Sequence, residues 1–300
     1  MRIALLLRDK LVLYIVILFA ISYAYQFLLI YFYFKNRLES GYIILLSYFP
    51  IIVLIILKLI GAEIDESNMG LELGDVKYYP IAILFPLGIT YVIAAVDKIL
   101  GIYVSFEAIR LALNVPLGLD WRIYITLTIF SLVIITPLMN SIITIGEEIG
   151  FRGFILAETI GRFDDRIVTI IIGILWVLWK APLILFIPLF YFSGFPGILI
   201  FAIFMIEFST FLIWLRIKSG GIVAPALGYA SLNAQIILGS IIIEESLIFG
   251  APVSLLGIIV QSVMLTPILK NLRIEFRKFI EIKDIKKSLK EVFKTPHLTP

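Results

Sequence analysis

Two adjacent carboxylates and an arginine, in the string Gly146-Glu147-Glu148-Ile149-Gly150-Phe151-Arg152-Gly153, close an apolar run that begins near Ile123. Charges at the mouth of a membrane-crossing segment are costly, so each asks for a partner and a reason. On a helix, Glu148 and Arg152 stand four residues apart with the acid on the N-terminal side, the favoured order for an ion pair. Glu147 then points about 100° away from its neighbour. One carboxylate is held, and the other is free to work. A second apolar run contains Trp176-Val177-Leu178-Trp179-Lys180-Ala181-Pro182, whose lysine also needs a partner. A third places Tyr229, Ser231, Asn233 and Gln235 on an otherwise lipid-compatible helix, which turns that face toward other helices.

These residues must be positioned by membrane helices. The chain has 300 residues, 61% hydrophobic and only 16% charged, with a mean hydropathy of +1.07. Soluble domains carry about a quarter charged residues. Apolar runs of about 20 residues, enough to cross roughly 30 Å of hydrocarbon, recur from end to end. The expected fold is all-α, a polytopic membrane bundle of about eight transmembrane helices. The spans fall near residues 11–34, 41–59, 80–96 and 123–145, then from about 167 through Trp176–Pro182, then 197–215, 220–243 and 251–269, with Asp97-Lys98 interrupting the third. Pro50 is expected to kink the second. Residues 63–79 read as a polar surface loop and 101–122 as a short interfacial helix. One membrane domain, 1–269, is followed by a basic tail, 270–300, read as an amphipathic helix lying on the membrane surface.

Net charge is +3 and its basic excess clusters after Leu269, which points to anionic lipid and away from nucleic acid. The chain has no cysteine, which excludes disulfides, thiol catalysis and thiolate zinc sites. No metal or other cofactor is expected. The basic start, Met1 to Lys10, leads into an apolar run too long for a signal peptide, so it reads as a retained first helix. Basic residues gather at both termini and at Arg152, Arg162, Arg166, Arg216 and Lys218, while the loops at Ser193 and Glu244 carry none. The positive-inside bias then places both termini and the glutamate motif in the cytoplasm, with the pocket open to that half of a prokaryotic plasma membrane.

Three separated strings share one pattern. Glu147-Glu148-Ile149-Gly150-Phe151-Arg152 resembles the EExxxR motif of the CPBP family of intramembrane proteases, which includes the CAAX prenyl endopeptidases and bacteriocin-processing or immunity proteins. Trp176 to Pro182 is similar to that family's second motif, an aromatic followed four residues later by histidine. Ala224 to Asn233 resembles the third, a histidine followed four residues later by Asn or Asp. The resemblance runs from Ile123 to Asn233, and it implies a CAAX-protease-like core over about 123–243. It also implies Glu147 as the base, Glu148 and Arg152 as the supporting pair, and Asn233 as the oxyanion donor. The chain departs from the pattern at both histidines, which are Lys180 and Tyr229; its single histidine is His297.

Those departures bear on the chemistry. A lone carboxylate can activate water, but a second group must polarise the carbonyl and protonate the leaving amine. Beside Glu147 a lysine is held in its charged form, which makes it a poor proton relay. A Glu147–Lys180 bridge neutralises itself inside the bundle, with Tyr229, Asn233 and Trp176 expected in the same pocket. Three function classes follow. The first is a degenerate protease fold that binds another membrane protein, membrane segment or lipidated peptide as scaffold, chaperone or regulatory subunit. The second is a surviving glutamate-dependent endopeptidase. The third is a transporter or channel subunit with Lys180, Glu207 and Glu147 as a charge path.

Overall fold

In hydrocarbon a backbone must satisfy its own hydrogen bonds, so runs of Ile, Leu and Phe become helices whatever their weak intrinsic preferences. The computed structural model describes residues 9–102, 109, 113, 120–187, 195–243, 246, 248–250 and 252–294. Its helices are α1 (Lys10–Phe34), α2 (Ser40–Leu46), α3 (Phe49–Leu59), α4 (Tyr79–Leu100), α5 (Trp121–Thr159), α6 (Asp165–Phe186), α7 (Phe195–Ser219), α8 (Val223–Ile242) and α9 (Leu255–Lys294). Taking α2 and α3 as one crossing, eight segments among the described residues are long and apolar enough to span a membrane. Three aspartates start helices by accepting backbone N–H bonds: Asp9 from Leu11, Asp120 from Arg122 and Asp164 from Arg166.

Helices α6, α7 and α8 form the inside of the bundle. More than half of each is buried, against a third or less of the other spans. Phe85 of α4 stacks on Phe211 of α7 with ring centroids 3.9 Å apart. Helix α8 packs between α5 and α4, while α7 lies against α6 and α9.

Ion pairs reveal which helix ends share a side. The Lys10 ammonium lies 2.9 Å from Glu158 and donates to the Glu63 carbonyl, and Arg162 reaches both Asp9 and Glu158. The Asp75 amide donates to the Ser219 carbonyl at 2.7 Å. The starts of α1, α4, α6 and α8 and the ends of α3, α5 and α7 therefore lie together, here termed the near end. The opposite termini make the far end.

Several elements differ from the sequence expectation. Asp97 and Lys98 do not interrupt the third span; the helix continues to Leu100 with Asp97 buried, and stops at Gly101, whose φ of +77° is a left-handed cap. The fourth span is one helix from Trp121 to Thr159, so the glutamates sit well inside it and not at its mouth. The tail is no separate surface helix: α9 runs unbroken from the last span, because Leu272 and Phe276 extend its buried stripe and no breaker follows Pro267. The 63–79 segment holds two short 3₁₀ turns and buries Met69. Most of the expected 101–122 helix, the Ser193 loop, Glu244-Glu245 and His297 lie outside the described residues.

Candidate functional site

The second span breaks between Leu46 and Phe49, and that break builds the site. Pro50 stands in the first turn of α3, where a missing N–H costs nothing, so the discontinuity falls just before the proline that was expected to kink the span. Helix α5 can approach the break because of Gly146 and Gly150. A Cβ on Gly146 would lie 2.3 Å from the Ser47 carbonyl oxygen, and one on Gly150 would meet Pro50 and the Tyr14 hydroxyl at 2.3 and 2.4 Å. The two glycines thus serve close helix contact, as their small-xxx-small spacing predicts.

That approach brings Glu147 against three donors. Its Oε1 accepts from the Ser47 hydroxyl at 2.7 Å and from the Lys180 ammonium at 2.8 Å, and its Oε2 accepts from the Trp176 indole N–H at 2.9 Å. The carboxylate is 1% exposed. Lys180 also lies 3.4 Å from the Tyr229 hydroxyl and over the Trp179 ring. The Tyr229 and Trp176 rings meet edge to face with centroids 4.7 Å apart.

Behind this layer, Glu148 Oε1 accepts from Arg152 Nη1 at 2.9 Å, both side chains being fully buried. The pair spans a stretch, Ile149–Ile155, where α5 widens into a π-helical turn; such turns recur at functional sites. Arg152 then stacks on the other side of the cluster, with its guanidinium 4.5 Å from the Trp176 ring centre. Two acids and two bases balance, which offsets part of the cost of burying each charge.

In front of Glu147 opens a pocket of about 440 Å³. Isoleucines and leucines from α2, α5, α6 and α8, with Phe201 and Met205 from α7, form its apolar wall. Asn140 and Asn233 supply its amides, and Ser47, Lys180 and Tyr229 its polar head. Every other lining residue lies beyond these head groups in the far-end direction: Ile43 and Ile44 before Ser47, Leu183 and Ile184 after Lys180, Ile236 and Ile237 after Tyr229. The pocket therefore runs away from the end that holds Lys10 and Arg162. This corrects the expectation that it opens on the same side as the motif's basic flanks.

The seven residues singled out from sequence separate into layers. Glu147, Lys180, Tyr229 and Asn233 line the pocket. Trp176 is not part of its lining; it is buried behind Glu147 and holds that carboxylate. Glu148 and Arg152 lie deeper still. Glu207 is on another seam, where it accepts from Ser262 at 2.7 Å and Gln261 at 3.2 Å of α9. Sequence reasoning missed Ser47, whose only signal is the Pro50 nearby, and Asn140, which a helical register places on the face of Glu147 two turns earlier.

These features define a class: a polytopic helical membrane protein whose inner helices hold a charge-balanced cluster at the head of an apolar pocket. Residues 121–235 match the family described as type II CAAX prenyl endopeptidase Rce1-like, a stretch that reaches from the start of α5 into α8 and contains Glu147, Lys180, Tyr229 and Asn233. Over this stretch, which is less than half of its length, the chain is similar to the Rce1-like CAAX proteases. No curated protein matches it.

Proposed function

We propose that the protein is a catalytically degenerate relative of the CAAX endopeptidases that acts by binding, holding a membrane segment or a lipidated peptide as scaffold, chaperone or regulatory subunit. One observation carries this reading: both oxygens of Glu147 are already engaged, by Ser47, Trp176 and the Lys180 ammonium. A base that activates water needs a lone pair facing that water, and a relay group that can give and take a proton. Lys180 instead sits as a counter-ion, and the position of the second family histidine is a phenol. The remaining pocket suits an apolar occupant, with Asn140 and Asn233 able to hydrogen-bond a stretch of backbone that has left its helix. Lys10, Arg162, Arg166, Arg216 and Lys218 at the near end support a cytoplasmic near end by the positive-inside bias, an orientation in which the pocket faces the other leaflet.

The test pairs cleavage with binding. Purified protein is incubated with a prenylated CAAX peptide and with membrane-embedded helical peptides, using Glu147→Gln as control, and photo-crosslinking reports occupancy. Crosslinks at Ile184 and Ile236 without cleavage are expected. Cleavage that disappears in Glu147→Gln would establish the endopeptidase reading in place of this one.

A further inference from the structure

A second cavity, of about 340 Å³, lies at the near end, where α7 leaves the membrane beside the loop that joins α3 to α4. Its lining includes Asn68, Gly70, Glu72, Arg216 and Phe279. Arg216, in the last turn of α7, is 2% exposed. Its Nη2 donates to the Asn68 carbonyl at 2.9 Å, whereas Nε and Nη1 have no hydrogen-bond partner. Leaving a buried donor unpaired is costly, the more so for a charged group, so this guanidinium is held ready for an acceptor.

The surroundings are built to hold it there. Asp65 accepts from Ser67 and from the Asn68 side chain, fixing the turn that presents the Asn68 carbonyl. Gly70 has φ +67°, and a Cβ there would fall 2.2 Å from the Arg216 guanidinium carbon, so only glycine admits the arginine. Phe279, on the part of α9 that extends beyond the membrane span, covers the guanidinium with 5.4 Å between the two centres.

The cavity also carries two carboxylates, which shape its preference. Glu66 is already paired with Lys58. Glu72 is exposed, and its charge acts on Arg216. A simple anion would be repelled by Glu72, while a ligand bearing both signs would satisfy both groups. Arginine is matched to phosphate by its planar fork of donors, and a carboxylate at the rim is matched to a primary ammonium.

We infer that this cavity binds a phosphate ester carrying a primary amine, the chemistry of a phosphoethanolamine headgroup, with the phosphate on Arg216 and the ammonium on Glu72. Its place at the membrane boundary gives two sources, a lipid headgroup or a soluble ester. The test is native mass spectrometry of the full chain in detergent, titrated with phosphatidylethanolamine, phosphatidylglycerol and phosphatidylcholine. Each charge-assisted bond is worth about 1.5 kcal/mol or more, so phosphatidylethanolamine should be retained about tenfold better than either other lipid, and Arg216→Gln should lower its retention about tenfold. Glu72→Gln, a change at an exposed position, should abolish the preference over phosphatidylglycerol. Soluble O-phosphoethanolamine that displaces the lipid would make the soluble ester the ligand; failure to displace would make it the headgroup, and both support the site. Equal retention of the three lipids by the unaltered protein, or an unchanged preference in Glu72→Gln, would overturn it. So would full retention in folded Arg216→Gln; where that variant does not fold, Glu72→Gln decides.

Discussion

Replacing Lys180 with methionine isolates the interaction on which the functional reading rests. The stem length is kept and only the ammonium is lost, leaving Glu147 buried with Ser47 and Trp176 as its remaining donors. Removing one partner of a buried ion pair costs about 3–5 kcal/mol. Lys180 is 19% exposed and opens on the pocket, so water recovers part of that, and about 3 kcal/mol is expected. Such a loss is a large fraction of a total stability of about 5–15 kcal/mol. Glu147→Gln alone leaves the ammonium unpaired and should cost a similar amount. The double variant Glu147→Gln/Lys180→Met removes both charges and should recover most of the loss. Unfolding in detergent, followed by circular dichroism or tryptophan fluorescence, gives the four corners of the cycle. Single effects that add within about 0.5 kcal/mol would show no coupling, and would remove the support for reading Lys180 as the counter-ion of Glu147.

Four further outcomes follow from the same geometry. Lys180→His with Tyr229→His places both family histidines around Glu147, and under the proposed function should produce CAAX-peptide cleavage that Glu147→Gln abolishes; absence of cleavage in this variant would mean that the pocket differs from the family's elsewhere too. Gly146→Ala drives a methyl into the Ser47 carbonyl, so it should cost about 1–3 kcal/mol, read as a lower melting temperature. Arg152→Ala strands Glu148 with no opposite charge bonded to it, and should lower stability by about 3–5 kcal/mol, more than Arg152→Lys does. The cysteine-free chain also allows topology to be read from single cysteines: Leu73→Cys at the near end should react with an impermeant maleimide only after the membrane is opened, and Asn36→Cys at the far end in intact cells. The reverse pattern would invert the orientation.

Much of the helical plan was legible because hydropathy and composition act locally. A run of about 20 apolar residues becomes a crossing wherever it occurs, and the (i, i+4) order of Glu148 and Arg152 placed them in contact on any helix. Lys180 demanded a partner by its burial alone, and the motif strings pointed to Glu147. Local rules failed where packing outweighed them. Asp97-Lys98 looked like a span's end, yet the helix carries Asp97 into a buried position before Gly101 stops it. The tail's apolar residues fitted a surface helix equally well, and only their continuity with the buried face of the last span made it one rod.

What the residues by themselves determined is an all-helical membrane bundle with a glutamate and a lysine that had to be neutralised. What only the tertiary structure decided is which faces meet. Ser47 and Glu147 are 100 positions apart and Glu147 and Trp176 are 29 apart, and no periodicity carries information across such distances. Their meeting depends on a break in the second span and on two glycines that let α5 come close to it. The direction of the pocket, and the placing of Glu207 on a separate seam, come from the same packing, because an amphipathic helix specifies that a face is buried but not what buries it.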